Sequence, residues 1–253
     1  MKFLTSLAVF FISWEVFYHL LINDPFLLSP PSKVIPTFLQ LLLGKDELFF
    51  IPLDTLHSLY HYAYGFLVAL STGLSLGLVA GLYRSFRDFI HPTIELLRPI
   101  PPIAWIPISI MLFKLTHSAA AFIIFIGAFF PILINTIHGV SSVERKYIEA
   151  AKTLGAKTRD VFFKVVIPAS LPSIFTGIRI ASGVAWMCVV AAELFGVSQF
   201  GLGYKIQLAR YYHSMDVLIA YMLAIGIVGL TLDHFYRSLE KKFLKWRRGL
   251  TIE

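Results

Sequence analysis

Three polar side chains, Arg179, Trp186 and Glu193, stand seven residues apart in an otherwise apolar run, with Ser182 beside them. Seven residues are two helical turns, about 10 Å of rise, so a helix here puts a guanidinium, an indole N–H and a carboxylate on one stripe. These groups can compensate charge or bind a polar solute. None is a nucleophile with a neighbouring base. A membrane span cannot turn such a stripe to lipid cheaply, so it either lines a polar path or is paired inside the protein. Arg98 and Trp105 are a second such place, in a run broken by Pro99, Pro101, Pro102 and Pro107. Arg98 follows Glu95 by three residues and either meets a solute or pairs with that carboxylate. His57 and His61, and Glu15 and His19, are each one helical turn apart. The histidines lack further zinc ligands nearby, and Glu15 with His19 is expected to form a local pair. The one cysteine, Cys188, reads as a small packed residue and excludes a disulfide framework.

The elements that must hold these residues are long apolar helices. Of 253 residues, 57% are hydrophobic and only 15% charged, against about 25% charged in ordinary soluble domains. Apolar runs at 3–22, 56–82, 89–113, 119–140, 171–196 and 217–235 are each long enough to cross a bilayer. The expected fold is therefore all-α, a single membrane domain of about six transmembrane helices over residues 1–253. The net charge of +7 is explained by topology rather than by nucleic acid. Lys and Arg gather at Arg84 and Arg87, in residues 141–172 and in the tail, which puts both termini in the cytoplasm by the positive-inside rule. The first run has no small-residue cleavage site and reads as a retained helix. Gly65, Ala69, Gly73, Gly77 and Gly81 make a small-residue stripe on the second run, and Ser173, Gly177, Ala181 and Ala185 make another on the fifth. Such stripes let helices approach closely in lipid. The prolines of residues 29–36 are expected to forbid a regular helix, with a short interfacial helix over 37–43.

Residues 141–172 interrupt this apolar pattern with a polar, basic segment that is expected to fold. Ser141 with Glu144 has the spacing of a capping box. Ala150, Ala151 and Leu154 are expected on one helical face, and Gly155 ends the turn in a left-handed conformation. Val161, Phe162, Val165 and Val166 then repeat at helical spacing until Pro168, which is expected to stop the run. A compact two-helix segment between spans, with small alanines ringed by cations, is expected to be a docking surface.

Glu149-Ala150-Ala151, then Gly155, Ile167-Pro168 and Leu171-Pro172 resemble the EAA loop of ABC-importer permease subunits. The flanking stretches at 98–108, 127–140 and 177–196 are similar to the nitrate, sulfonate, taurine and bicarbonate branch. The likeness runs over residues 26–246, with Ile167 standing where that family usually has leucine. It implies a type I importer permease fold in the cell inner membrane. Its coupling loop at 141–172 would dock an ATPase subunit through Glu149, Ala150, Ala151, Leu154, Gly155, Ile167 and Pro168. It further implies two ATPase copies, a second permease copy as a homodimer, and an extracytoplasmic solute-binding protein. No G-x-x-x-x-G-K-[ST] loop is present, so ATP and Mg belong to the partner ATPase and this chain binds no cofactor or metal of its own. The implied cargo is a small anion. A vitamin precursor or riboflavin-like heterocycle is the alternative, and a membrane enzyme or receptor a distant one. Arg98, Trp105, Arg179, Ser182, Trp186 and Glu193 are the expected translocation-pathway residues.

Overall fold

A computed structural model describes residues 2–244, and all regular structure among them is helical. Helix α1 (Lys2–Phe17) continues into a π-helical turn (Tyr18–Ile22). It is followed by α2 (Pro31–Leu42), α3 (Ile51–Leu82), α4 (Arg84–Leu97), a 3-10 turn (Pro102–Trp105), α5 (Ile106–Phe113) and α6 (His117–Ser141). Then come α7 (Arg145–Thr153), α8 (Thr158–Val161), a π-helical turn (Phe162–Val166), α9 (Ile167–Leu194), α10 (Leu202–Tyr211) and α11 (Met215–Phe243). Five helices among the described residues are long and apolar enough to cross a membrane, or six if α4 and the 102–113 pair form one bent span. Those two halves meet at 88° across Arg98–Pro101, so the prolines do break the third run.

Helix α6 is the spine of the bundle, packed between α3 and α9 along the two small-residue stripes. A Cβ on Gly65 would stand 2.6 Å from the Ala121 carbonyl oxygen, and one on Gly77 2.6 Å from Thr136 Cβ. On the other side of α6, a Cβ on Gly177 would stand 2.5 Å from Asn135 Cβ. Without side chains at these points the helix axes approach closely, which maximises dispersion where lipid offers no hydrophobic contrast. Between the glycines, Ala69, Ile124, Ala128, Ile132, Ala181 and Val189 complete a fully buried seam.

Three local expectations are corrected. Pro168 does not stop its helix: Thr158–Leu194 is one continuous 37-residue span. The π-helical turn just before the proline lets the Ile167 N–H bond the Phe162 carbonyl, five residues back. That wider ladder accommodates the missing N–H and bulk of the proline ring. The capping box at Ser141 and Glu144 does not form. Helix α6 runs through Ser141, whose Oγ donates to the His138 carbonyl, and the Glu144 carboxylate instead pairs with Lys146 at 2.6 Å. Finally, the proline-rich segment is helical from Pro31. Pro31 sits at the first helical position, where an N–H is not needed. From α1, Glu15 accepts from Ser32 N–H (3.0 Å) and Ser32 Oγ–H (2.7 Å), supplying the cap that α2 lacks in its own sequence. His19 reaches the same carboxylate at 3.1 Å, as the spacing predicted.

The two ends of the bundle differ. The α7–α8 elbow caps one end. The last turns of α11 lie at that end too, where Arg179 bonds Glu240 (3.3 Å) and Phe175 stacks on Phe243 (5.5 Å). The α3 end is there as well, with Leu78 packed against the elbow's small core. Arg84, Arg87, Arg237, Lys241, Lys242 and the elbow cations therefore gather at one end. Helix α10 covers the other, about 40 Å away along α9.

Candidate functional site

The elbow is built on a knot of two backbone hydrogen bonds. Helix α7 ends at Thr153, and Leu154 is its C-terminal cap. Gly155 then takes φ +83, its N–H bonds the Lys152 carbonyl (2.9 Å), and the Ala156 N–H bonds the Ala151 carbonyl (3.0 Å). This 5→2 and 6→1 pair is a Schellman cap, and the left-handed residue it requires is what glycine supplies. Beneath it Val140, Val161 and Val166 form a small core, packed by Ile148, Ala151, Ala156, Phe162 and Val165. The alanine pair is thus divided: Ala151 faces this core, and Ala150 faces outward. Leu154 is 88% exposed. Around it Glu149, Ala150 and Gly155 are exposed, and Tyr147 and Phe163 add apolar surface. Ile167 and Pro168 are half-buried at the root of α9. Leu154 thus stands exposed on a turn whose backbone the Schellman cap fixes.

The pathway residues do not share one surface of this chain. Arg98 lines a cavity of about 370 Å³ at the break in the third run, closed by Ile100, Pro102, Gly127, Pro131, Asn135 and Val184. It forms no ion pair with Glu95; that residue lines an adjacent cavity of about 470 Å³ with Arg87, His91 and His138. Trp105 packs edge-on against Phe122, 6.4 Å between ring centroids, and its buried indole N–H has no acceptor among the described residues. The α9 residues find protein partners instead. Arg179 bonds Glu240, the Trp186 indole N–H donates to the Ile225 carbonyl (3.1 Å), and Ser182 Oγ meets Tyr62 Oη (2.8 Å), which donates on to Tyr236 Oη (3.0 Å). The seven-residue stripe therefore ties α9 to α11 and α3.

Glu193 is the most tightly held of them, 0% exposed. Its carboxylate lies 2.8 Å from His61 Nδ1 and accepts from Ser58 Oγ–H and the Gly203 N–H, each at 2.9 Å. Ser58 Oγ in turn accepts the Leu202 N–H at 2.8 Å, and His61 Nε2 lies 2.7 Å from His117 Nδ1. A Cβ at Gly201 would overlap the Glu193 carboxylate, so glycine is required there for space as well as for its φ of +107. One buried carboxylate thus clamps α3, α9 and the start of α10. Ser58, His61 and Gly203 were not read as site residues from sequence. The signal was present in the i, i+4 spacing of His57 and His61, but it pointed to no particular partner.

The chain thus combines a broken span, a close-packed helical spine and an exposed elbow. The same fold is seen in an amino acid ABC transporter crystallised with histidines, 14% identical with a TM-score of 0.61 over 83% of this chain and 96% of that one. The family described as binding-protein-dependent transport system inner membrane component matches residues 73–245, and the chain belongs to it. Relatives include a putative ABC transporter permease protein of Methanocaldococcus jannaschii, 48% identical over 97% of this chain and 91% of that protein. A putative aliphatic sulfonates transport permease protein, SsuC of Bacillus subtilis, is 35% identical over 98% and 88%. The bicarbonate transport system permease protein CmpB of Synechococcus elongatus is 39% identical over 76% and 69%. The chain is a permease component of an ABC importer, a multi-pass inner-membrane protein and not itself an enzyme.

Proposed function

We propose that this permease conducts a small anion inward, driven by a separate ATPase that grips the α7–α8 elbow. The observation that carries the reading is Leu154, held almost fully exposed beside Glu149 and Ala150 on a rigid Schellman knot. The elbow end faces the cytosol, since the chain's cations gather there. Two ATPase subunits, each carrying ATP and Mg, take two elbows from a permease homodimer. A solute-binding protein delivers cargo at the α10 end. When the ATPases close, each elbow moves and the unbroken Thr158–Leu194 helix carries the displacement across the membrane. The bundle then shifts between two packings of comparable stability, and docking biases one of them.

Anion cargo is supported by Arg98. Its guanidinium stands at a discontinuous helix, where transporters place solute contacts, and has no carboxylate partner among the described residues. The α9 residues Arg179, Ser182, Trp186 and Glu193 hold the path's walls together, while Arg98 faces its space. Arg98→Ala in the assembled importer is expected to lower anion uptake about tenfold or more, the worth of one charge-assisted hydrogen bond. Membrane insertion and ATPase co-purification should be retained. Uptake at the wild-type rate, or loss of the ATPase from the complex, contradicts the assignment.

A further inference from the structure

A cavity of about 630 Å³ lies at the α10 end, between the end of α9 and the outer face of α10. Leu194, Phe195, Gly196 and Ile206 wall it with apolar surface, and Tyr204, Gln207, Arg210 and Tyr211 supply its polar groups. Arg210 is exposed and, among the described residues, pairs with no carboxylate. No carboxylate lines the cavity. Gln207 Nε2 donates to Tyr211 Oη at 3.2 Å, which leaves the Tyr211 O–H hydrogen to be donated elsewhere. Both walls are fixed in advance. Gly196 (φ +72) ends α9 in a second Schellman knot, with its N–H on the Glu193 carbonyl (3.0 Å) and the Val197 N–H on the Ala192 carbonyl (3.0 Å). Helix α10 is clamped by Glu193 and Ser58 through the N–H groups of Gly203 and Leu202.

We infer that this cavity is a second solute site, at the outer mouth, for an organic oxyanion that carries a short apolar tail. The inference rests on the anion reading above and narrows it. A planar guanidinium with five donors matches an oxyanion head in a bidentate fork. Phe195, Leu194 and Ile206 offer nothing to a bare inorganic ion, but they bury an alkyl chain. Pockets of this kind, apolar with a few convergent donors, are the usual form of small-molecule sites. The site holds the anion briefly between its release from the binding protein and its entry past Arg98.

The test is calorimetric titration of the purified permease–ATPase complex, without binding protein, with 1-butanesulfonate and with sodium nitrate. Butanesulfonate should bind, and nitrate about tenfold or more weakly, because each buried methylene contributes about 0.8 kcal/mol. Arg210→Gln should weaken butanesulfonate binding about tenfold or more. Tyr211→Phe should give a smaller loss. Equal affinity for the two anions, or binding indifferent to Arg210→Gln, overturns the inference. If neither anion binds while the whole importer still takes up an anion, the outer site falls and the anion reading stands. If the importer takes up no anion at all, both fall.

Discussion

Gly155→Val is expected to cut ATP-driven uptake at least about tenfold while the chain still inserts and folds. Gly155 holds φ +83 at the end of α7, and a β-branched residue in the left-handed region costs roughly 1–2 kcal/mol. That is too little to unfold a long-spanned bundle. It is enough to shift the chain toward another exit from α7, undo the bonds from Gly155 and Ala156 to Lys152 and Ala151, and swing Leu154 away from its position. Among the described residues, and apart from its own chain neighbours, nothing lies within 4 Å of a Cβ built on Gly155, so packing does not resist a side chain there. Gly155→Asn supplies the control, because asparagine tolerates the left-handed conformation. It should keep most of the uptake. Uptake in sealed vesicles, with insertion followed by immunoblot, separates the cases. Normal uptake in Gly155→Val removes the knot from the coupling account. Glu149→Lys, which reverses the charge beside Leu154, should likewise uncouple without loss of protein.

The largest effect on stability belongs to Glu193. Glu193→Ala would strip a fully buried cluster of its acceptor and leave His61, Ser58 Oγ–H and the Gly203 N–H facing a void. Breaking one side of a buried hydrogen-bonded pair costs on the order of 3 kcal/mol or more. The loss should appear as a lower melting temperature of the detergent-solubilised protein. Proteolysis should also be faster within residues 196–201, because α10 is held to the spans through this carboxylate. Glu193→Gln keeps an oxygen for two of the donors and should lose less. An unchanged melting temperature in Glu193→Ala means the clamp does not hold the α10 end.

The spans and the elbow were legible because their signals are strong and local. Apolar runs of about 20 residues have one solution in lipid, and Gly65 through Gly81 at four-residue steps name a packing face before any partner is known. The Gly155 cap was equally readable, since the φ it adopts is the property glycine uniquely supplies. The failures have a common cause. Pro168 and Pro31 were read by their average behaviour, and each is accommodated by a local device, a π-helical turn in one case and a first-turn position capped from another helix in the other. The Arg179–Trp186–Glu193 stripe was seen correctly as a periodicity. Which helices it faces is a tertiary fact, and Glu240, Ile225 and His61 are 61, 39 and 132 residues distant. The loss of the Ser141–Glu144 capping box has the same origin: α6 runs one residue past its expected end, and Lys146 competes for the carboxylate.

The central claim, that the elbow is seated in the ATPase, is tested most directly at Leu154. A photo-crosslinking amino acid placed at that position, in the complete importer in membranes, should join the chain to the ATPase subunit on illumination, with a yield that changes when ATP is bound. The same group placed at Phe195, at the far end of α9, should not reach the ATPase. Crosslinking from position 154 only to lipid, to the binding protein, or to the ATPase no more than from position 195, would contradict the account.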